Sequence, residues 1–169
     1  MDIVSHGLWG SIAFGRKNKI SFWRAFFFGI MPDLFSFGVF FVLILFGFAD
    51  RPNFGHEPPD VSLVPGYITT LYDISHSFIV FLLFFGAYWL VFRKLLKESL
   101  AWPLHIIFDI FTHSYKFFPT PFLWPISNFK IDGWPWSRPI IFFPNVVILV
   151  LLYLYFYYLK RGYRENVGG

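Results

Sequence analysis

The stretch LHIIFDIFTHS, residues 104 to 114, sets His105, Asp109, Thr112 and His113 into an otherwise apolar run. On a helix His105 and Asp109 lie one turn apart, and Thr112 and His113 fall on the same broad face. An imidazole and a carboxylate at i and i+4 can reach one ion together, as they do in helical zinc motifs. The same residue types recur in other apolar runs: His6 in SHG, Asp33 in MPD, and His76 between Ser75 and Ser77 in ISHS. An ionisable group in a membrane helix costs about 2.5–3.5 kcal/mol on insertion scales, so its default reading is functional. Imidazole nitrogen combined with carboxylate oxygen suits zinc, manganese or iron, whereas an all-oxygen set would suit magnesium or calcium. The candidate metal ligands are therefore His6, Asp33, His76, His105 and Asp109, holding one or two divalent ions, with Ser75, Ser77 and Thr112 in support. His113 stays open as a further ligand, a general acid or a plain hydrogen-bond donor. His56, in a proline-flanked loop, reads as solvated.

The elements that must position these residues are membrane helices. The chain of 169 residues is 56% hydrophobic and 25% aromatic but only 14% charged, too apolar for an ordinary soluble domain. Residues 34 to 49, 77 to 92 and 139 to 159 carry no charge. A hydrocarbon core of roughly 30 Å needs about 20 helical residues, so the last block spans alone and the others span once their polar ends are included. Strand-like alternation is absent, leaving the helix as the way to satisfy the backbone in lipid. The expected fold is all-α: a single integral membrane domain, 1 to 169, built as a bundle of about four transmembrane helices, 25–48, 74–96, 99–114 and 139–160, plus a short N-terminal helix over 2–14. A break at Pro32 is expected to turn Asp33 inward. Residues 115 to 138, rich in Pro and Trp, read as an interfacial loop, either an aromatic belt or a lid over a headgroup.

Three basic clusters order the passes: Arg16, Lys17, Lys19 and Arg24; Arg93, Lys94 and Lys97; and Lys160, Arg161 and Arg164. Placing all three in the cytoplasm gives a consistent alternation and a cytoplasmic C-terminus. Because each cluster sits at the end of an apolar block, topology explains the net charge of +4, and nucleic acid is excluded as a partner. Residues 1 to 14 lack a basic start and place His6 within the apolar run, so no cleavable leader is expected. The chain has no cysteine, which removes disulfides and thiolate metal sites.

The order SHG, PD, SHS and HxxxDxxT, followed by LWP at Leu123 to Pro125, resembles the bacterial inner-membrane family of membrane-bound metal-dependent hydrolases. The resemblance covers about residues 5 to 125. Phe35 stands where that family carries the second Asp of PDxD, and Ser36 beside it is a poor ligand. The family is in turn distantly similar to zinc-dependent phospholipase C. What the resemblance implies is an ion, zinc above all, held by Asp33, His76, His105 and Asp109, and a second held by His6 with Asp109 bridging. It also implies the cytoplasmic, or inner, membrane of a prokaryote as the location.

The expected function is a membrane-embedded hydrolase that cleaves a lipid phosphoester with metal-activated water, using Asp33, Asp109 and His113 as catalytic groups. A membrane lipid is the expected substrate because Asp33, His105 and Asp109 lie about 10–16 Å above the basic clusters at 1.5 Å per residue. Two alternatives use the same residues: a proton- or metal-ion-translocating protein, or a non-catalytic scaffold around a structural metal.

Overall fold

The computed structural model describes residues 1–49 and 64–167, and His56 lies outside them. Helix α1, Ile3–Phe14, starts at Asp2, whose carboxylate accepts from the Ser5 backbone N–H at 2.9 Å and from its hydroxyl at 2.6 Å. A tight turn leads to α2, Lys19–Asp33, capped by the Asn18 side chain on Ser21 N at 2.8 Å. The two helices form a close antiparallel pair, because their contact surfaces are glycine. A methyl group on Gly29 would lie 2.6 Å from the His6 carbonyl oxygen, and one on Gly10 would lie 2.8 Å from both the Ala25 carbonyl oxygen and the Ala101 methyl.

The expected break at Pro32 does not occur. Helix α2 runs through the proline, widens into a π-helical turn over Leu34–Gly38, and continues as α3, Val39–Leu45. Proline removes one backbone donor and crowds the turn before it, while the widened turn follows it, and the span continues through both. The Ser36 hydroxyl donates to the Pro32 carbonyl at 3.0 Å, so this side chain serves the backbone of the widened turn.

Helix α4, Gly66–Ser75, and helix α5, Phe78–Phe92, meet at a bend of 58°. The bend falls at His76 and Ser77, and two loop carbonyls tie it down: the Phe122 carbonyl accepts from Phe78 N at 3.0 Å, and the Trp124 carbonyl accepts from the Ser77 hydroxyl. The Ser77 oxygen also caps α5 by accepting from Ile79 N and Val80 N. A 3₁₀ turn over Lys97–Leu100 leads into α6, Ala101–Thr112. There Glu98 accepts from the Ser21 hydroxyl at 2.7 Å, which holds its carboxyl below the usual range. The carbonyls at the end of α6 are answered by the following loop: Trp134 N donates to Phe111 O, Trp136 N to Thr112 O and Gly133 N to His113 O. Gly133 is required at that contact, since a methyl group there would lie 2.5 Å from the Phe111 and His113 oxygens. Helix α7, Pro139–Val167, closes the chain and touches α1 through Asn145, which accepts from the Trp9 indole and donates to the Ser5 hydroxyl, both at 2.8 Å.

The described residues are helical, without a named strand. Two helices are long and apolar enough to cross a bilayer, Lys19–Leu45 and Pro139–Phe156, and the bent pair of α4 and α5 makes a third candidate. The fourth expected pass, 99–114, holds a 12-residue helix, and at 1.5 Å per residue α6 is about 18 Å long, short of the hydrocarbon core. Burial runs opposite to that of a soluble domain: Leu82, Leu83, Phe84, Phe143 and Leu151 are exposed, while His6, His76, His105 and Asp109 are buried.

Candidate metal centre

Four elements deliver the polar cluster. Helix α6 brings His105 and Asp109 on one face. Helix α2 brings Asp33 at its last turn, the α4–α5 bend brings His76, and α1 brings His6. The glycine crossing of α1 and α2 sets the depth of His6, whose ring stacks on His105 with centroids 3.5 Å apart. The 58° bend lets His76 leave the helical path and point at α6, stacked on Tyr72 at 3.8 Å.

Asp33, His76, His105 and Asp109 converge on one point. His76 Nε2 lies 3.1 Å from His105 Nε2, 3.4 Å from Asp109 Oδ2 and 3.5 Å from Asp33 Oδ1. His105 Nε2 lies 3.0 Å from Asp109 Oδ2 and 3.7 Å from Asp33 Oδ1. Ligands 2.0–2.1 Å from a tetrahedral ion are separated by about 3.3–3.4 Å, the middle of that range.

The protonation of the rings decides what such a cluster can do. His105 Nδ1 faces the Gly29 carbonyl at 2.7 Å, and His76 Nδ1 faces the Tyr72 carbonyl at 3.2 Å with the Ser75 hydroxyl at 2.9 Å. A carbonyl only accepts, so a neutral His105 carries its proton on Nδ1 and presents a lone pair at Nε2, and a neutral His76 does the same when its Nδ1 donates to Tyr72 or Ser75. Two lone pairs then face two carboxylate oxygens. Asp109 Oδ2 is buried and accepts no hydrogen bond, although both Nε2 atoms are close. A divalent cation resolves that arrangement, since it binds both lone pairs and balances both carboxylates. The buried group can thus hold a metal ion.

The other oxygen of Asp109 faces a second set of donors. His6 Nε2 lies 2.9 Å and His113 Nε2 3.4 Å from Oδ1, and the Met1 amino group bonds to the same oxygen. His113 Nδ1 faces the Phe118 carbonyl at 3.1 Å, which turns its Nε2 toward Asp109. His113, left open by the sequence, therefore joins His6 on this side. Of the three supporting residues, Ser75 contacts His76, Ser77 caps α5, and the buried Thr112 hydroxyl has no partner.

Sequence reading missed the carbonyls of Gly29 and Phe118 and the ring of Tyr72, all of which orient ligands. Tyr72 had a local signal, standing four residues before His76 in the same helix. Gly29 and Phe118 act through backbone oxygen, which residue type does not encode. Comparison of the chain with family models, with curated proteins and with solved structures returns no match.

Proposed function

We propose that the chain is a membrane-embedded, metal-dependent hydrolase of a lipid phosphoester, as its resemblance to the membrane-bound metal-dependent hydrolases implies. The observation that carries this reading is the meeting of two Nε2 lone pairs with the Asp33 and Asp109 carboxylates at separations of 3.0–3.7 Å. Zinc is the metal such a nitrogen and oxygen tetrahedron favours, with manganese or iron as alternatives. A bound ion supplies Lewis acidity, acidifying water toward neutral pH and offsetting charge on a phosphoryl oxygen.

The chain's own groups do the rest. Asp109 turns its other oxygen to His6, His113 and the Met1 amino group, so a second ion would be held by Asp109, His6 and His113 on displacing that amino group. Asp33, the one member of the first set with side-chain exposure, at 14%, orients the attacking water and takes its proton. With its Nδ1 turned to the Phe118 carbonyl and its Nε2 given to the second ion, His113 has no proton to deliver, and the leaving oxygen takes its proton from Asp33, which received it from the attacking water. The four-pass topology with a cytoplasmic C-terminus in a prokaryotic inner membrane belongs to the same proposal, with α6 completing its pass through the 3₁₀ turn and the residues after His113.

A second reading is a structural metal in a non-catalytic scaffold, favoured by the fact that four protein side chains already offer one ligand atom each. Translocation finds less support, because on the α1 side of the cluster Gly10 and Gly29 bring two backbones into contact.

The test is elemental mass spectrometry on detergent-purified protein, beside a His105→Ala/Asp109→Ala double variant. The expected result is one or two equivalents of zinc, lost in the variant, together with phosphate or phosphoalcohol release from a phospholipid panel. Metal retained without turnover of any substrate supports the scaffold, and no metal after reloading overturns both.

A further inference from the structure

A cleft of about 310 Å³ opens beside the cluster, with Asp33 and His113 at its polar end and Phe37, Phe40, Phe41 and Phe117 along its sides. Asp33, Phe37, Phe40 and Phe41 belong to one continuous span and all line the cleft, so that span lays a stripe of them along one wall. From Asp33 to Phe40 that stripe rises roughly 11 Å at 1.5 Å per residue. At the far end Phe41 is 59% exposed on the surface of a span apolar enough to cross a bilayer. The cleft therefore leads from the lipid-facing surface to the exposed edge of the cluster.

From this geometry, and resting on the hydrolase reading above, we infer that the substrate is a lipid with a single linear hydrocarbon chain, taken in sideways from the bilayer. The chain lies along Phe37, Phe40 and Phe41, and its phosphoester reaches Asp33 and His113. Three observations fix the class. The volume stands at the lower end of the roughly 300–1,000 Å³ usual for ligand pockets, room for one slender chain and too little for two acyl chains side by side. The side walls are aromatic and aliphatic, with no Lys or Arg among the lining residues, so an anionic headgroup finds its countercharge at the polar end, from the metal cluster and the Met1 amino group beside it. The Asp2 carboxylate, also at the cleft, is turned to the Ser5 amide and hydroxyl and is already committed to capping α1.

The experiment uses the full chain in phosphatidylcholine nanodiscs and a dodecyl phosphate probe carrying a diazirine at the chain end. After illumination, labelled peptides are mapped by mass spectrometry, and bound metal is measured on the same sample. The expected label falls on the segments holding Phe40, Phe41 and Phe117. It drops several-fold with excess unlabelled dodecyl phosphate, and several-fold in Phe41→Trp, which narrows the mouth. Phe84→Trp, on the exposed face of α5, leaves it unchanged. Label spread over α5 and α7, or equal cleft labelling by a two-chain phosphatidate probe, overturns the inference. Because Phe41 is exposed, its substitution spares the core; should Phe41→Trp misfold, the competition and two-chain arms still decide. Cleft labelling in protein devoid of metal would keep the lipid site and refute the hydrolase reading, whereas bound metal with scattered label would do the reverse.

Discussion

Asp109 is the residue on which the cluster depends. Its two oxygens face different partners, Oδ2 toward His76 and His105 and Oδ1 toward His6 and His113, and neither is exposed to solvent. Replacing it with Asn keeps the shape but removes the charge that both sides need. Asp109→Asn is predicted to lose all bound metal. His113→Gln leaves the Asp33, His76, His105 and Asp109 set intact and is predicted to lower a two-ion protein to one ion. Elemental mass spectrometry of the two variants side by side checks this; equal losses in both would mean that His113 belongs to the same ion as His76. The HxxxD pair was legible from spacing alone, because one helix carries both residues. The role of His113 was not, because it follows the last helical residue in extended backbone, where helical spacing no longer says which way a side chain points.

At the scale of the elements, close backbone approach places the ligands. Gly29 admits the His6 carbonyl on one side while its own carbonyl orients His105, so α1, α2 and α6 are registered through one residue. A methyl group at 2.6 Å from backbone oxygen cannot be relieved by a side-chain rotation. Gly29→Ala is predicted to destabilise the fold by about 1–3 kcal/mol, the usual cost of overpacking, and to lower metal content with it. A thermal unfolding midpoint in detergent, with and without added zinc, measures both; an unshifted midpoint would show that α1 docks elsewhere. In the sequence Gly10 falls four residues after His6, on the same helix face, with Gly7 beside them, which is enough to expect a close neighbour. Which neighbour it would be depended on α2 supplying Gly29 at the matching height. Likewise Pro32 announced a disturbed helix, but whether the chain would break there or run on through a widened turn depended on packing that the proline itself does not encode.

For the whole molecule, the arrangement among the described residues is apolar outside and polar within, with the catalytic proposal placed at the C-terminal ends of α2 and α6. Because the chain has no cysteine, single introduced cysteines report topology without background. Lys116→Cys, in the loop after α6, is predicted to react with a membrane-impermeant maleimide in intact cells. Lys17→Cys and Arg93→Cys are predicted to react only after permeabilisation. The reverse pattern would place the cluster on the cytoplasmic side and invert the direction from which substrate arrives.

What the sequence determined by itself was of short range or of composition. Apolar blocks, absent strand alternation and clustered basic residues specify helices in a membrane, because hydrocarbon imposes the same demand on every backbone group. Residue type and i, i+4 spacing specify that His105 and Asp109 share a helix face and lie close enough to hold one ion together. Tertiary structure decided the rest. The proton positions on His105 and His113 depend on carbonyls of Gly29 and Phe118, which come from another helix and a loop. The division of Asp109 between two sets of nitrogens, and the cleft between Asp33 and Phe41, exist only once α1, α2 and the bent α4–α5 pair have closed around α6. Periodicity tells a helix which face is polar; only packing tells it which other polar face it will meet.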